Sequence, residues 1–337
     1  MTAGRAPNRR RHPAFRPGES PPDPMQRRHL LALAAMPAAT PVALAAAPAP
    51  MIREDWTDPA RDRRLPVLIR LPDGDAAAPA VLVSHGLGGS REGLAYLGQA
   101  LAGEGFLVLH IQHPGTDAGL WQGRADISAA MAAAALDAGQ ALARLQDGIF
   151  ALDALTRRPG LRERVDASRL AVAGHSYGAW LVQHLLGQRL PGGDHGLALP
   201  DARLKAGIAL SPIPPRGLSP RYAFGRITRP MLHVTGTLDS GFIDGATAED
   251  RELPFRSING PPQALAVLAG AAHAAFADER AAGPRWADPA FHARTAGLAV
   301  AFLRAMLLGD VAARGALLDG MPGLLAPGDR LTCKDFG

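Results

Sequence analysis

The sequence Gly174-His175-Ser176-Tyr177-Gly178 follows an apolar run at residues 170–173 and precedes a helix-like run at residues 179–182. An apolar strand, a Gly-x-Ser-x-Gly turn and a helix are together typical of a nucleophile elbow. In such an elbow the serine lies on a strained turn, and its neighbours must be nearly free of side chains. The stretch therefore predicts that Ser176 is a nucleophile at the end of a strand.

The composition fits one domain of moderate size. The chain has 337 residues, of which 47% are hydrophobic and 20% are charged, and this is enough for a single sizeable core. Residues 1–28 hold seven arginines against Glu19 and Asp23, which accounts for the whole formal charge of +5. The rest of the chain is formally neutral, which argues against a nucleic-acid partner. Cys333 is the only cysteine, so neither an intramolecular disulfide nor a cysteine-based metal site is expected.

The beginning of the chain has the features of an export signal. Arg27 and Arg28 precede an uncharged, alanine-rich stretch, and paired arginines at this place resemble a twin-arginine signal peptide. Small residues near the end of the stretch offer cleavage sites, whereas its prolines argue against the alternative, a membrane anchor. We expect residues 1–50 to form an extension with this signal, with Met25 as an alternative start, and residues 51–337 to form the catalytic domain. We expect the export machinery to recognise this signal and to carry the protein to the periplasm or out of the cell. After cleavage of the signal, no stable membrane anchor is expected.

Apolar runs alternate with helix-like runs after the signal. The predicted strands lie at 65–71, 80–84, 106–111, 170–174, 206–210, 231–235 and 265–268, and the predicted helices at 91–103, 138–157, 178–188 and 290–308. This alternation predicts an α/β fold with a mostly parallel central sheet and helices on both faces. No insertion is long enough for a large lid domain. Ligands bind at the carboxyl ends of the strands in such sheets.

A serine nucleophile needs a base, and the base needs an orienting carboxylate. In the α/β-hydrolase fold these residues follow one another in the order serine, acid, histidine. Asp239 lies on the turn after the predicted strand at 231–235, and His273 follows the predicted strand at 265–268. We therefore predict a Ser176-His273-Asp239 triad. Asp244 and Asp278 are the rival acids, but Asp244 lies deeper in its loop and Asp278 comes after the histidine.

Backbone donors for a developing oxyanion are also predicted. The glycine-rich turn 85–89 follows the early strand at 80–84, where this fold presents one donor, and the other is the N–H of the residue after the nucleophile. The predicted oxyanion hole is therefore formed by the backbone N–H groups of Leu87 and Tyr177.

Five other histidines and two aromatic residues are considered for a role at the site. His110 and His113 have a His-x-x-His spacing, which at a strand end is more often packing than a metal site. His85, His175 and His184 are interpreted as structural, and Trp121 and Phe276 as pocket wall or core.

These motifs, taken together, resemble a known group of proteins. The stretches that carry the resemblance are Arg61-Asp-Arg-Arg-Leu-Pro-Val, Ser84-His-Gly-Leu-Gly-Gly-Ser-Arg-Glu-Gly, Leu109-His-Ile-Gln-His-Pro-Gly-Thr-Asp, Gly174-His-Ser-Tyr-Gly-Ala and Gly270-Ala-Ala-His-Ala-Ala-Phe-Ala-Asp. They look like the bacterial "predicted dienelactone hydrolase" proteins, which are related to the platelet-activating-factor acetylhydrolases, over residues 55–308. The resemblance implies a serine esterase with little lid, whose triad positions match Ser176, Asp239 and His273.

Two departures from that group concern the substrate. Dienelactone hydrolases have a cysteine where Ser176 stands, which argues against a lactone substrate. Polyester-degrading relatives usually have methionine where Tyr177 stands.

The functional prediction is a serine hydrolase that cleaves small or short-acyl carboxylic esters through an acyl-enzyme, without a cofactor or a metal. The alternatives are a phospholipid acetyl-ester or polyester hydrolase, and a catalytically silent hydrolase fold that binds a ligand, since fold alone does not fix function. Silent relatives typically lose a triad member, and here all three residues are present.

Overall fold

A nine-stranded mixed sheet forms the centre of the protein. The computed structural model describes residues 49–192, 197–241, 243–278 and 288–336. The strands are β1 (Met51–Asp58), β2 (Arg63–Arg70), β3 (Ala78–Ser84), β4 (Leu107–Ile111), β5 (Val165–His175), β6 (Leu204–Leu210), β7 (Met231–Leu238), β8 (Gln263–Ala272) and β9 (Arg330–Lys334). Their order in the sheet is β1-β2-β4-β3-β5-β6-β7-β8-β9.

Strands β4, β3, β5, β6, β7 and β8 run parallel, and the strands at the two edges run antiparallel to their neighbours. In the register, Ser84 lies opposite Gly174, and His175 lies opposite Leu210. The carboxyl ends of β3, β5 and β6 therefore meet at one edge of the sheet. The loops that follow β3, β5, β7 and β8 all leave from this edge, which is where open α/β sheets bind ligands.

Helices cover both faces of the sheet. They are α1 (Ala95–Gly103), α2 (Ile127–Leu136), α3 (Ala138–Arg157), α4 (Tyr177–Leu185), α5 (Pro220–Phe224), α6 (Leu253–Ser257), α7 (Pro289–Leu308) and α8 (Val311–Leu318). Buried side chains of α3, α4 and α5 form one core with one face of the strands. Those of α1, α7 and α8 form a second core with the opposite face. The parallel strands are apolar on both sides because both faces are covered.

The predicted α/β-hydrolase fold is confirmed. The seven predicted strands correspond to β2–β8, and the predicted helices correspond to α1, α3, α4 and α7. Helix α1 begins only at Ala95, because Leu94 adopts a left-handed conformation with φ of 58°. The edge strands β1 and β9 and the short helices α2, α5, α6 and α8 were not predicted. Among the described residues, the chain between β4 and β5 adds α2, α3 and two three-residue 3-10 helices at Ala118–Leu120 and Arg162–Arg164, and no large lid domain is present.

Helix α7 is long and apolar enough to cross a membrane, judged by length and composition alone. More than half of it is buried within the protein. Leu298 and Phe302 are fully buried in the core that α7 shares with α1 and the sheet. The apolarity of α7 is thus that of a core helix. The predicted signal segment lies outside the described residues.

Candidate active site

Ser176 lies on the sharp turn between β5 and α4 that the sequence predicts. Its backbone has φ of 54° and ψ of −113°, a strained conformation for a residue with a side chain. The two glycines are required by close approach of the backbone: a Cβ on Gly174 would lie 2.5 Å from the carbonyl carbon of Gly178, and a Cβ on Gly178 would overlap the carbonyl oxygen of Ser84. Both positions must therefore be glycine for α4 to begin so close to the ends of β3 and β5.

The structure brings Ser176, His273 and Asp239 together in one chain of hydrogen bonds. The Asp239 carboxylate can only accept, so His273 donates from Nδ1 to Asp239 Oδ1 over 2.8 Å. Nε2 of His273 is then an acceptor, and the Ser176 hydroxyl donates to it over 2.9 Å. The Asp239 side chain is fully buried, whereas that of His273 is 29% exposed. The imidazole is thus held from its buried side and reachable from the pocket.

Two further residues hold the Asp239 carboxylate. Thr235 donates from Oγ1 to Asp239 Oδ2 over 2.7 Å, and Nε of the fully buried Arg251 lies 3.5 Å from Oδ1. Burial raises the pKa of Asp239, but the hydrogen bond and charge of His273, together with Arg251 and Thr235, outweigh it and hold the pKa below its ordinary value. Asp239 is therefore ionised at neutral pH and can stabilise a positively charged imidazole.

The two rival carboxylates serve other groups. Asp244 accepts from both terminal nitrogens of Arg251, at 2.6 and 3.1 Å, and so neutralises that buried guanidinium. Asp278 accepts from the backbone N–H groups of Leu94 and Tyr96 at the beginning of α1. Neither of them is hydrogen-bonded to His273.

The predicted oxyanion residues lie on two adjoining turns at the site. Leu87 is in the loop after β3, and Tyr177 is the first residue of α4. Among the described residues, neither backbone N–H has an acceptor. The loop itself is fixed by a bond from Gly88 N to Thr116 O of 2.9 Å and by one from Trp121 Nε1 to Gly88 O of 2.7 Å. Two unengaged donors beside Ser176 are the arrangement that an oxyanion requires.

His175 supports the backbone of His273. It donates from Nε2 to the His273 carbonyl over 2.9 Å, and the two rings lie 4.9 Å apart. Burial, and then the charge of His273, lower the pKa of His175 to about 3. It is therefore a neutral neighbour that fixes His273 without adding a second positive charge.

A large, mostly apolar pocket opens in front of Ser176 and His273. Its volume is about 840 Å³, which is within the range of pockets for small organic ligands. Its wall includes Trp121, Met131, Trp180 and Ile213. Helix α2 covers one side, and of its residues only Ala134 is buried. Phe276, in contrast, lies in the core.

The His-x-x-His pair is engaged in hydrogen bonds. His110 bonds to Gly93 O through Nδ1, and His113 bonds to Ser84 and Asp147. Within the described ranges, no group of three or more His, Cys, Asp or Glu side chains could hold a metal ion.

Thr235, Arg251 and helix α2 contribute to the site but are not predicted from the sequence. Thr235 and Arg251 contact Asp239, and α2 with Met131 forms a pocket wall. Thr235 could have been suspected as the polar end of an apolar strand. The sequence pattern around Arg251 does not indicate a contact with Asp239, and that of α2 does not indicate a pocket wall.

Comparison with known proteins gives partial matches. No family model matches the chain, so the resemblance to the dienelactone hydrolase-like group stays a prediction. Over 133 residues the chain is 34% identical to "Cutinase est1" and 35% identical to "Cutinase est2", both of Thermobifida alba. The matched stretch covers 40% of this chain and 34% of each cutinase, so the chain matches about a third of the length of these relatives. The similarity agrees with the α/β-hydrolase fold.

Proposed function

We propose that this protein is a serine hydrolase that cleaves carboxylic esters. The observation that carries the proposal is the continuous hydrogen-bond chain from Asp239 through His273 to Ser176, at the wall of an apolar pocket. Similarity to two proteins named cutinases supports it. A catalytically silent binding protein does not need a buried, ionised carboxylate that orients a histidine towards a serine. The presence of this arrangement therefore favours an enzyme.

In the proposed reaction, Ser176 Oγ attacks the ester carbonyl while its proton passes to His273 Nε2. The carbonyl oxygen becomes an oxyanion, which accepts from the N–H groups of Leu87 and Tyr177. The intermediate collapses when His273 gives the proton to the departing alcohol, and an acyl-enzyme remains on Ser176. A water molecule then repeats the sequence, with the same base, and releases the acid. Asp239 stabilises the imidazolium in both halves.

The proposed substrates are small or short-acyl carboxylic esters. A phospholipid acetyl ester or a polyester is the second candidate. The mostly apolar wall, which includes Trp121, Trp180 and Ile213, favours esters that carry neutral, apolar groups.

We also propose that residues 1–50 direct the catalytic domain, residues 51–337, out of the cytoplasm. The support is the Arg27-Arg28 pair before an uncharged stretch. Cell fractionation of the full chain tests this, with a variant that carries both Arg27→Lys and Arg28→Lys. Retention of that variant in the cytoplasm is expected, and equal export of both proteins would contradict twin-arginine export.

Hydrolysis of p-nitrophenyl esters of increasing acyl length tests the activity and its preference together. The purified protein is expected to cleave the acetate and butyrate esters fastest, and Ser176→Ala is expected to cleave none above the buffer rate. Cleavage at equal rates by both proteins would overturn the proposal. If the rate of hydrolysis is instead highest for long acyl chains, the protein is still an esterase, but the proposed preference for short acyl chains is wrong.

A further inference from the structure

Arg144 is a fully buried arginine on α3, beneath the candidate active site. No carboxylate within the described residues pairs with it. Instead Nη1 donates to Thr116 Oγ1 over 2.8 Å, and Nη2 donates to Ser84 Oγ over 2.9 Å and to His85 O over 2.6 Å. Its guanidinium carbon lies 4.5 Å from the centre of the Tyr177 ring. Burying a charged group away from water costs free energy, so we asked what the buried Arg144 contributes to the protein.

Two of the four residues that Arg144 contacts, His85 and Tyr177, belong to the two halves of the proposed oxyanion hole. The His85 carbonyl is in the turn that carries the N–H of Leu87, and Tyr177 carries the other N–H on α4. Both donors must converge on one oxygen atom to within about 0.5 Å. The planar Arg144 guanidinium bonds to one half and lies over the Tyr177 ring of the other, so a single group contacts both.

Arg144 is itself held by a second, buried series of hydrogen bonds. His113 donates from Nδ1 to Asp147 Oδ2 over 3.1 Å, and Nε2 of His113 lies 3.0 Å from Ser84 Oγ. Because the Asp147 carboxylate only accepts, Nε2 is an acceptor, and the Ser84 hydroxyl must donate to it. The lone pairs of Ser84 then face Arg144. Arg63 closes the other end with two bonds to Asp147, of 2.8 and 3.0 Å.

This second series has the order Asp-His-Ser, like a catalytic triad, but it is closed to solvent. Ser84, His113 and Asp147 are each 0% exposed and do not line the pocket. The Ser84 oxygen already bonds to Arg144 and His113. The series therefore orients neighbours rather than attacking a substrate.

We infer that Arg144, held by the Ser84-His113-Asp147 series, is a positioning residue that sets the geometry of the oxyanion hole. The inference rests on the proposed ester hydrolysis. Arg144 touches neither the substrate nor the reacting atoms, and acts through the backbone of residues 85–87 and through Tyr177. Its loss is expected to weaken the stabilisation of the oxyanion while substrate still binds, which lowers kcat and leaves KM nearly unchanged.

The test uses Arg144→Lys and Ser84→Ala, with Arg294→Met as the matched control. Lysine keeps the positive charge but lacks the planar guanidinium with its two terminal nitrogens. Ser84→Ala removes one acceptor of Arg144 with little change of volume. Arg294 pairs with the buried Asp329 over 3.0 Å, and it lies outside the pocket lining. Each variant is measured for kcat and KM on p-nitrophenyl acetate, for inhibition by phenylboronic acid, and for Tm. Ser176 Oγ adds to boron while its proton passes to His273 Nε2, and the tetrahedral boronate anion that forms reports on the oxyanion hole.

For Arg144→Lys we expect kcat to fall about 10- to 100-fold, by less than the full loss of an oxyanion donor, with KM within about twofold. Phenylboronic acid should bind more weakly by a similar factor. Ser84→Ala should change the same two quantities in the same direction. Arg294→Met should lower Tm and leave kcat and boronate affinity unchanged.

Unchanged kcat and boronate affinity in both folded variants would overturn the inference, and so would a loss confined to KM. Those results leave ester hydrolysis by the wild-type protein intact. Absence of Ser176-dependent hydrolysis by the wild-type protein would instead overturn the proposed function and the inference with it.

Discussion

Asp239→Asn is the substitution that most sharply tests the assignment of the acid. Asparagine keeps the size of the side chain and its place beside Thr235 and Arg251, but removes the negative charge 2.8 Å from His273 Nδ1. Because Asp239 is fully buried, water cannot replace that charge when the imidazole becomes positive.

The expected loss follows from the role of the charge. Where an aspartate orients and stabilises the histidine of a serine hydrolase, the amide lowers kcat about 10⁴-fold. At about 1.36 kcal/mol per factor of ten, this corresponds to about 5 kcal/mol of transition-state stabilisation. Asp244→Asn is the matched control, because Asp244 bonds to Arg251 and not to His273. Its kcat should stay within about tenfold of the wild-type value.

The assay is hydrolysis of p-nitrophenyl acetate, with the active fraction determined by titration and the fold checked by Tm. Asp239 is not the acid if Asp239→Asn keeps more than a tenth of the wild-type kcat while Asp244→Asn keeps less than a tenth. That result would make Asp244 the acid and Asp239 a structural residue.

Three further substitutions or conditions have defined outcomes. Gly178→Ala should destabilise the protein by about 1–3 kcal/mol and abolish hydrolysis, because the added methyl group would overlap Ser84 O; urea unfolding and the ester assay measure both. Burial lowers the pKa of His110 to about 3 and that of His113 to about 4, so the unfolded chain binds protons below pH 6.5 that the native chain does not. Stability should therefore be complete above pH 6.5 and fall towards pH 4, by up to about 1.4 kcal/mol per pH unit for each histidine, as Tm against pH would show. Met131→Trp should narrow the pocket beside Gly88 and lower kcat/KM for bulky esters at least about tenfold more than for the acetate ester.

Each of these has a result that contradicts it. Wild-type Tm and rate in Gly178→Ala would show that the elbow has room for a side chain. A Tm that does not change between pH 7 and pH 5 would show that His110 and His113 titrate normally. Equal losses on all esters in Met131→Trp would place that side chain away from the substrate.

The strands that could be predicted from the sequence are those buried on both faces. Such strands are continuous apolar runs, and β3, β5 and β7 stand out for this reason. The edge strand β1 is half solvent-exposed and rich in charges, and β9 is a short strand with partly exposed side chains. Their pairing depends on the neighbouring strand, which no local pattern expresses.

Some residues of the candidate site could likewise be predicted from the sequence, and others could not. Ser176, Asp239 and His273 could be found because each follows a recognisable strand, and the fold collects those strand ends at one edge. Arg144 and Arg251 lie in segments with no motif, and their roles come from contacts with residues distant in sequence, such as His85 and Asp239. Helix α2 was missed because an alanine-rich run of mostly exposed residues has neither helical nor strand periodicity.

The assignment of Ser176 as the nucleophile is tested most directly by its covalent labelling with a fluorophosphonate, read by mass spectrometry of the digested protein. We expect one adduct, on the peptide that contains Ser176, with loss of ester hydrolysis in proportion to labelling and with much slower labelling in His273→Ala. Absence of the adduct, or an adduct on another serine while hydrolysis continues, would contradict the claim that Ser176 is the nucleophile.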